Sequence, residues 1–197
     1  MLSSNNKGAF ILEGCAVKVQ GNGRAKILTP AEISRLFDRG FVTARDRLLF
    51  AVTFYCACRI SEALALTTQD IVGGVVTLRK ATTKGKSATR TLPLHPMLAK
   101  FLLAYNPDAG FLFPGREGTK PLTRSQANLI FKEACKRVRI KGASTHSMRR
   151  TALTNLSNAG VPLRVIMEIS GHKNLSSLQR YLEVQPEQLV KALGILK

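Results

Sequence analysis

Along most of the chain apolar residues recur every three or four positions, as one face of a helix requires. In one stretch they alternate with basic residues, as a half-buried strand requires. The first start signal is Thr29-Pro30-Ala31-Glu32. The threonine hydroxyl can accept the N–H three residues on while Glu32 reaches back, and proline suits the first helical position, so a helix is predicted to about Asp38. Ala44 to Tyr55 is apolar on most faces and predicts a buried helix, with a shorter one at Ser61 to Leu66. Val75 to Lys80 and Thr89 to Leu94 alternate and predict a hairpin joined by TTKGKSA. Pro96 to Tyr105 predicts a helix, Phe111 to Gly115 a turn, and Thr123 to Val138 an amphipathic helix with Ala127, Ile130, Ala134 and Val138 inward. The fold class expected is α+β, mainly α-helical with a small antiparallel β-sheet.

Thr145 to Glu183 reads as three short helices. The first runs from near His146 to Ala159, because Gly160 supplies a left-handed stop and Pro162 opens the next helix. Met148, Ala152, Leu156 and Ala159 make its apolar stripe, flanked by Leu153. Arg149 projects between Leu153 and Leu156, on the side that should be buried, while Arg150 points away. A guanidinium cannot deprotonate, so on a core-facing side it needs an anionic partner. Leu163 to Ser170 is the second helix, closed by Gly171. Asn174 caps a third, in which Leu175, Leu178 and Leu182 share a face with Tyr181 at its edge.

Charge changes the picture next. The 197 residues suit one domain and carry a formal net charge of +18, with an isoelectric point near 10.5. No acid occurs between Asp70 and Asp108 or between Glu133 and Glu168. Such clustering implies a polyanionic partner, and nucleic acid is the commonest one for a basic protein. The four cysteines (Cys15, Cys56, Cys58, Cys135) have no metal-site spacing, and a reduced, intracellular protein is expected. Leu48 to Cys58, the longest nearly apolar run, is far too short to span a bilayer, and no signal peptide is recognisable.

Single positions are ambiguous. Arg59 lies between two apolar runs and either approaches the interior or pairs locally with Glu62. Lys84, beside Gly85 at the hairpin tip, either reaches a phosphate or is an ordinary loop lysine. The ordered set is more specific: R-I-S-E from Arg59, K-G at Lys84, H-x-x-R from His146 to Arg149, G-H at Gly171-His172, and Tyr181 nine residues later. With LPLHP and LFPG it resembles the tyrosine recombinase, or phage integrase, family over about Thr29 to Gln185.

That resemblance implies a site-specific DNA recombinase that cleaves and rejoins strands through a 3′-phosphotyrosine, without metal, ATP or other cofactor. Tyr181 matches the nucleophile. Arg59 and Arg149 match the arginines that grip the scissile phosphate, Lys84 the general acid, His146 the residue that takes or positions the tyrosine proton, and His172 a donor to the phosphate. The types suit the chemistry. Planar guanidinium forks match the charge that builds on non-bridging oxygens, and a phenol of ordinary pKa about 10 needs a base or a cationic pocket. Lys80, Lys86, Arg90, Arg124, Arg150 and Lys173 are expected on the DNA face. A homotetramer on paired sites, with accessory DNA-bending proteins, is implied as the assembly. The same residues leave open a type IB topoisomerase-like strand relaxer, or a non-catalytic DNA-binding regulator.

Two departures stand out. Members commonly place glycine two residues before the first arginine, where this chain has Ala57. The residues before Thr29 are too few for the family's helical core-binding domain, so the expected organisation is a basic, mobile arm over 1–27, a catalytic domain over 28–185 and a tail over 186–197. The arm reads equally as an edge strand. The tail, with Leu189, Val190, Leu193 and Ile195, packs either on its own domain or on a neighbouring protomer. The size resembles that of small fimbrial phase-variation invertases.

Overall fold

The computed structural model describes residues 25–79, 89–179, 189–190 and 193–194. Thr29 caps α1 (Pro30–Arg35) in the predicted way: its Oγ1 accepts the Glu32 N–H at 3.2 Å, and the Glu32 carboxylate accepts the Thr29 N–H at 3.0 Å. The helix then widens over Leu36–Gly40, where the Phe41 N–H reaches back to Leu36 O. α2 (Ala44–Tyr55) has the predicted bounds, with Thr43 Oγ1 accepting the Asp46 N–H at 3.1 Å. Leu48 through Thr53 are all buried, which is why this helix shows no polar stripe. Phe50 stacks on Phe41 at 4.8 Å and meets Phe131 at 5.0 Å between ring centroids. These rings form the middle of the main core.

α3 (Ile60–Leu64) ends two residues before the predicted limit. Tertiary pairing outweighs helix propensity there: Leu66 O accepts the Leu112 N–H at 2.8 Å, and Thr67 bridges to Phe111. The sheet has three antiparallel strands in the order β1 (Ile71–Val72), β2 (Val75–Leu78), β3 (Arg90–Pro93). The β2–β3 hairpin was expected; β1 was not, being two residues long. It returns through Gly73 and Gly74, whose φ values of 62° and 75° make a tight left-handed turn that other residues would strain to adopt. Val76 and Leu78 face the core. α4 (Pro96–Tyr105) packs on α2. α5 (Arg124–Arg137) buries Ala127, Phe131, Ala134 and Cys135, with Ile130 and Val138 only half-buried, because Phe131 packs against the Phe50 ring.

α6 (Thr145–Asn158), α7 (Leu163–Ser170) and α8 (Leu175–Gln179) follow the predicted order, and Gly160 and Gly171 take the left-handed stops with φ 78° and 69°. They build a smaller cluster of Ala57, Ala152, Leu153, Ile166 and Leu178. Met148 belongs to the main core instead, Ala159 and Leu175 are exposed, and Leu182 lies outside the described residues.

Arg150 differs from its expected outward course. It is buried, and its Nη1 donates to Ala25 O at 2.5 Å, because the entering chain covers that side of α6. The Leu28 N–H donates to Thr151 Oγ1 at 2.9 Å and Lys26 pairs with Glu32 at 2.6 Å, so residues 25–27 are tied to the domain rather than to an arm. Residues 1–24 lie outside the described set, so neither reading of the arm is addressed. In the tail Leu189, Val190 and Leu193 are exposed. Among the described residues no helix is long and apolar enough to cross a membrane.

Phe50→Ala removes the ring that joins Phe41 and Phe131, and should lower the unfolding free energy by about 3–5 kcal/mol in urea titration.

Candidate active site

Four segments meet at the site: the turn after α2, the start of α3, β3, and the α6–α7 pair with the loop that follows. At the turn, Ala57 takes φ 44°, a left-handed conformation that suits the family's glycine and strains an alanine. The sharp turn is therefore kept despite the substitution. Its carbonyl accepts Arg149 Nη1 at 2.7 Å.

Arg149, 2% exposed, is core-facing as predicted. Nη1 also stands 3.6 Å from Glu62 Oε2, and Nη2 donates to Ser170 O at 3.0 Å. The anion it needs is thus partly supplied by the protein itself, through a residue expected only as a local partner of Arg59. Glu62 is 7% exposed. Its Oε2 accepts the Arg59 N–H at 2.7 Å and its Oε1 accepts Arg90 Nη1 at 2.7 Å. Burial alone would raise its pKa. The hydrogen bond and charge of Arg90, the Arg59 N–H and the Arg149 charge outweigh that and hold the carboxyl below its usual range.

Arg59 caps α3 with extended backbone (φ −72°, ψ 150°), and its side chain is 41% exposed, with Nη1 3.8 Å from Glu62 Oε2. Both readings of Arg59 hold in part: it makes the weak local pair and also edges the cluster. Arg90 corrects an expectation. Rather than facing DNA, it is buried, pairing with Glu62 and donating Nε to Ile169 O at 2.9 Å. A Cβ on Gly171 would lie 2.7 Å from Arg90 Nη1, so glycine is required there on space as well as φ.

His172, next in the chain, is buried against the arginines, with Nδ1 2.7 Å from Ser170 Oγ and Nε2 3.1 Å from Arg149 Nη2. Burial, then the charges of Arg149, Arg59 and Arg90, push its pKa down to about 4, with Glu62 opposing. His146 is exposed in the first turn of α6, one turn before Arg149 and on the same side of the helix. Arg124 and Lys173 are exposed, as a phosphate-facing role requires. Tyr181, Lys84, Lys80 and Lys86 lie outside the described residues.

The structure thus brings Arg59, Arg149 and His172 together and adds Glu62, Arg90 and Ser170. The signal for Glu62 was a lone carboxylate in the apolar run I-S-E-A-L. Cys56, Cys58 and Cys135 are buried and free; burial pushes Cys56 to about 12 and Cys135 to about 11, and holds Cys58 well above its ordinary value, so none is a thiolate near pH 7. Among the described residues no group of three His, Cys, Asp or Glu is placed to hold a metal ion. A groove of about 480 Å³ lined by Ile33, Phe37, Tyr55, Met97 and Phe101 holds none of these site residues.

A hairpin and a C-terminal helix set converging on buried arginines define the fold of the tyrosine recombinase catalytic domain. The crystal structure of XerA recombinase matches with a TM-score of 0.73 at 19% identity, over 89% of this chain and 65% of that one. The Tn1549 transposon integrase, solved in complex with circular intermediate DNA, matches with a TM-score of 0.71 at 21% identity, over 87% of this chain and 67% of that one. Residues 26–188 match the model of the phage integrase family, and the chain belongs to that family. Tyrosine recombinase XerC of Rhodospirillum centenum is 30% identical over 167 residues, covering 81% of this chain and 48% of that protein. The chain spans about half the length of that curated relative.

Two outcomes follow from this geometry. Ala57→Gly should raise the unfolding free energy by about 0.5–1 kcal/mol, the relief of left-handed strain less the added chain entropy, as read by urea titration. The unfolded His172 ring takes a proton near 6.5 and the folded ring only near 4. Stability is therefore full above about 6.5 and should fall by something on the order of 3 kcal/mol as pH drops to 4. His172→Gln should remove that part of the pH dependence.

Proposed function

We propose that this chain is the catalytic part of a site-specific DNA recombinase acting on double-stranded DNA through a 3′-phosphotyrosine on Tyr181. The observation that carries the reading is the convergence of Arg59, Arg90 and Arg149 on one carboxylate, Glu62. Among the described residues three guanidinia meet one carboxylate at a largely buried place, a donor set suited to gripping a phosphate.

In this mechanism Arg59 and Arg149 clamp the non-bridging oxygens as negative charge grows there. His172, neutral near pH 7, offers a ring N–H to the same phosphate. Tyr181 attacks phosphorus, its proton passes toward His146, and Lys84 protonates the leaving 5′ oxygen. One phosphodiester is exchanged for another, so a 5′ hydroxyl from a partner strand reverses the step with bond energy retained. Arg124 and Lys173 hold the flanking backbone. Lys80 and Lys86 are assigned the same task by their sequence position. Strand exchange between two sites requires more than one protomer, and a homotetramer, aided by DNA-bending proteins, is the assembly this chemistry calls for.

The test is covalent trapping on a nicked suicide duplex. Wild-type protein should give a protease-sensitive adduct that Tyr181→Phe lacks; adduct formation undiminished in Tyr181→Phe would sink the reading. Arg59 is half-exposed, so Arg59→Lys should leave the melting temperature unchanged and slow cleavage about 10²-fold, by analogy with the loss of one oxyanion donor. Relaxation of supercoils without recombinant products would indicate a strand relaxer instead.

A further inference from the structure

Arg90 is the first residue of β3, and its side chain is 8% exposed. Its guanidinium reaches two other segments of the chain. Nη1 donates to Glu62 Oε1 of α3 at 2.7 Å, and Nε donates to Ile169 O in the last turn of α7 at 2.9 Å. The same group lies against Gly171, where a Cβ would stand 2.7 Å from Nη1 and 3.1 Å from Cζ.

The end of α7 calls for such partners. The last carbonyls of a helix have no N–H within it, and cations beside them also suit the helix dipole. Here the Gly171 N–H closes on Met167 O at 2.8 Å, Arg149 Nη2 donates to Ser170 O, and Arg90 Nε donates to Ile169 O. Arg149 comes from α6, the helix before α7. Arg90 comes from the sheet, so it ties the end of α7 to a part of the fold outside the α6–α7 pair. The carboxylate at its other edge accepts the Arg59 N–H. One flat group therefore registers the Gly171–His172 turn against the start of α3.

A single ammonium could pair with Glu62. It could not also hold Ile169 O at a fixed angle to that carboxylate and fill the space over Gly171, whereas a planar guanidinium does all three. We propose that Arg90 is a positioning residue that sets His172 relative to Arg59 through Glu62, Ile169 O and Gly171, and does not itself touch DNA. What His172 and Arg59 act on rests on the recombinase reading; the registration of the turn by Arg90 does not.

The test is single-turnover cleavage of the nicked suicide duplex by full-length protein, beside duplex affinity measured over a range of salt. Arg90→Lys keeps a charge for Glu62. It should bind the duplex as wild type does, with the same salt dependence, and convert the same fraction to adduct, but about 10- to 100-fold more slowly, as a small misplacement of a reacting group costs. An arginine on the DNA would instead lose affinity and lower the salt slope by about one. A merely structural arginine would lower the fraction converted and leave the rate of the remainder unchanged. Either result overturns the proposal, as does an unchanged rate.

Gly171→Ala gives an independent check, because the cost of its φ of 69° is the same whatever stands at position 90. It should slow the wild-type reaction yet add little to Arg90→Lys, since the methyl displaces a contact already lost; slowing factors that multiply overturn the proposal. If wild-type protein forms no adduct, the recombinase reading fails, and the ¹³C carbonyl resonance of Ile169 decides the registration alone. Arg90→Lys should shift that resonance, and an unmoved one overturns the proposal.

Discussion

A carboxylate buried at 7% exposure is the constraint on which the rest of this site depends. Removing Glu62 from water costs several kcal/mol, and only close partners with good geometry offset that cost. They come from different places: Arg59 from the turn before α3, Arg90 from β3 and Arg149 from α6. Because each partner belongs to another element, the strand and the two helices cannot slide independently without leaving a buried charge unmatched. A hydrophobic contact would tolerate such a shift by repacking; an ion cluster in low dielectric does not.

Under the proposed function, the same cluster readies a deeply placed arginine for an external ligand. Arg149 is held from three directions, by Ala57 O, Ser170 O and Glu62, so its fork is oriented before any ligand arrives. Orientation fixed in advance is what makes electrostatic stabilisation effective, since little reorganisation remains to be done during the reaction. Arg59 sits at the rim with half its side chain in water, and gives the site a solvent-facing edge.

Much of this was legible in the sequence, and for local reasons. Thr29 and Glu32 announce their helix because capping is settled within four residues, and Gly160 and Gly171 mark helix ends because only a left-handed stop suits them. The motif residues Arg59, Arg149 and His172 could be named because their spacing is specific. What was not legible depends on distant partners. Arg90 reads as one more basic strand residue until the fold brings it to Glu62, 28 positions away, and to Ile169, 79 positions away. Arg150 reads as solvent-facing until the chain near Ala25 crosses over it. β1 is too short to carry any periodicity, and α3 stops early because Leu66 is claimed by Leu112. Ala57 is the instructive middle case: the departure was visible, but only the backbone reveals that the turn is kept under strain.

The apolar interior comes as one large cluster and one of five residues, and the arginine site lies along the border between them. Local opening draws first on the regions with the least buried apolar contact, and the small cluster of Ala57, Ala152, Leu153, Ile166 and Leu178 is such a region. Its opening would separate Ser170 and His172 from Arg149 while α1 to α5 remained folded. Under the proposed function, the arginine–histidine arrangement would therefore be lost and regained at a fraction of the free energy of global unfolding.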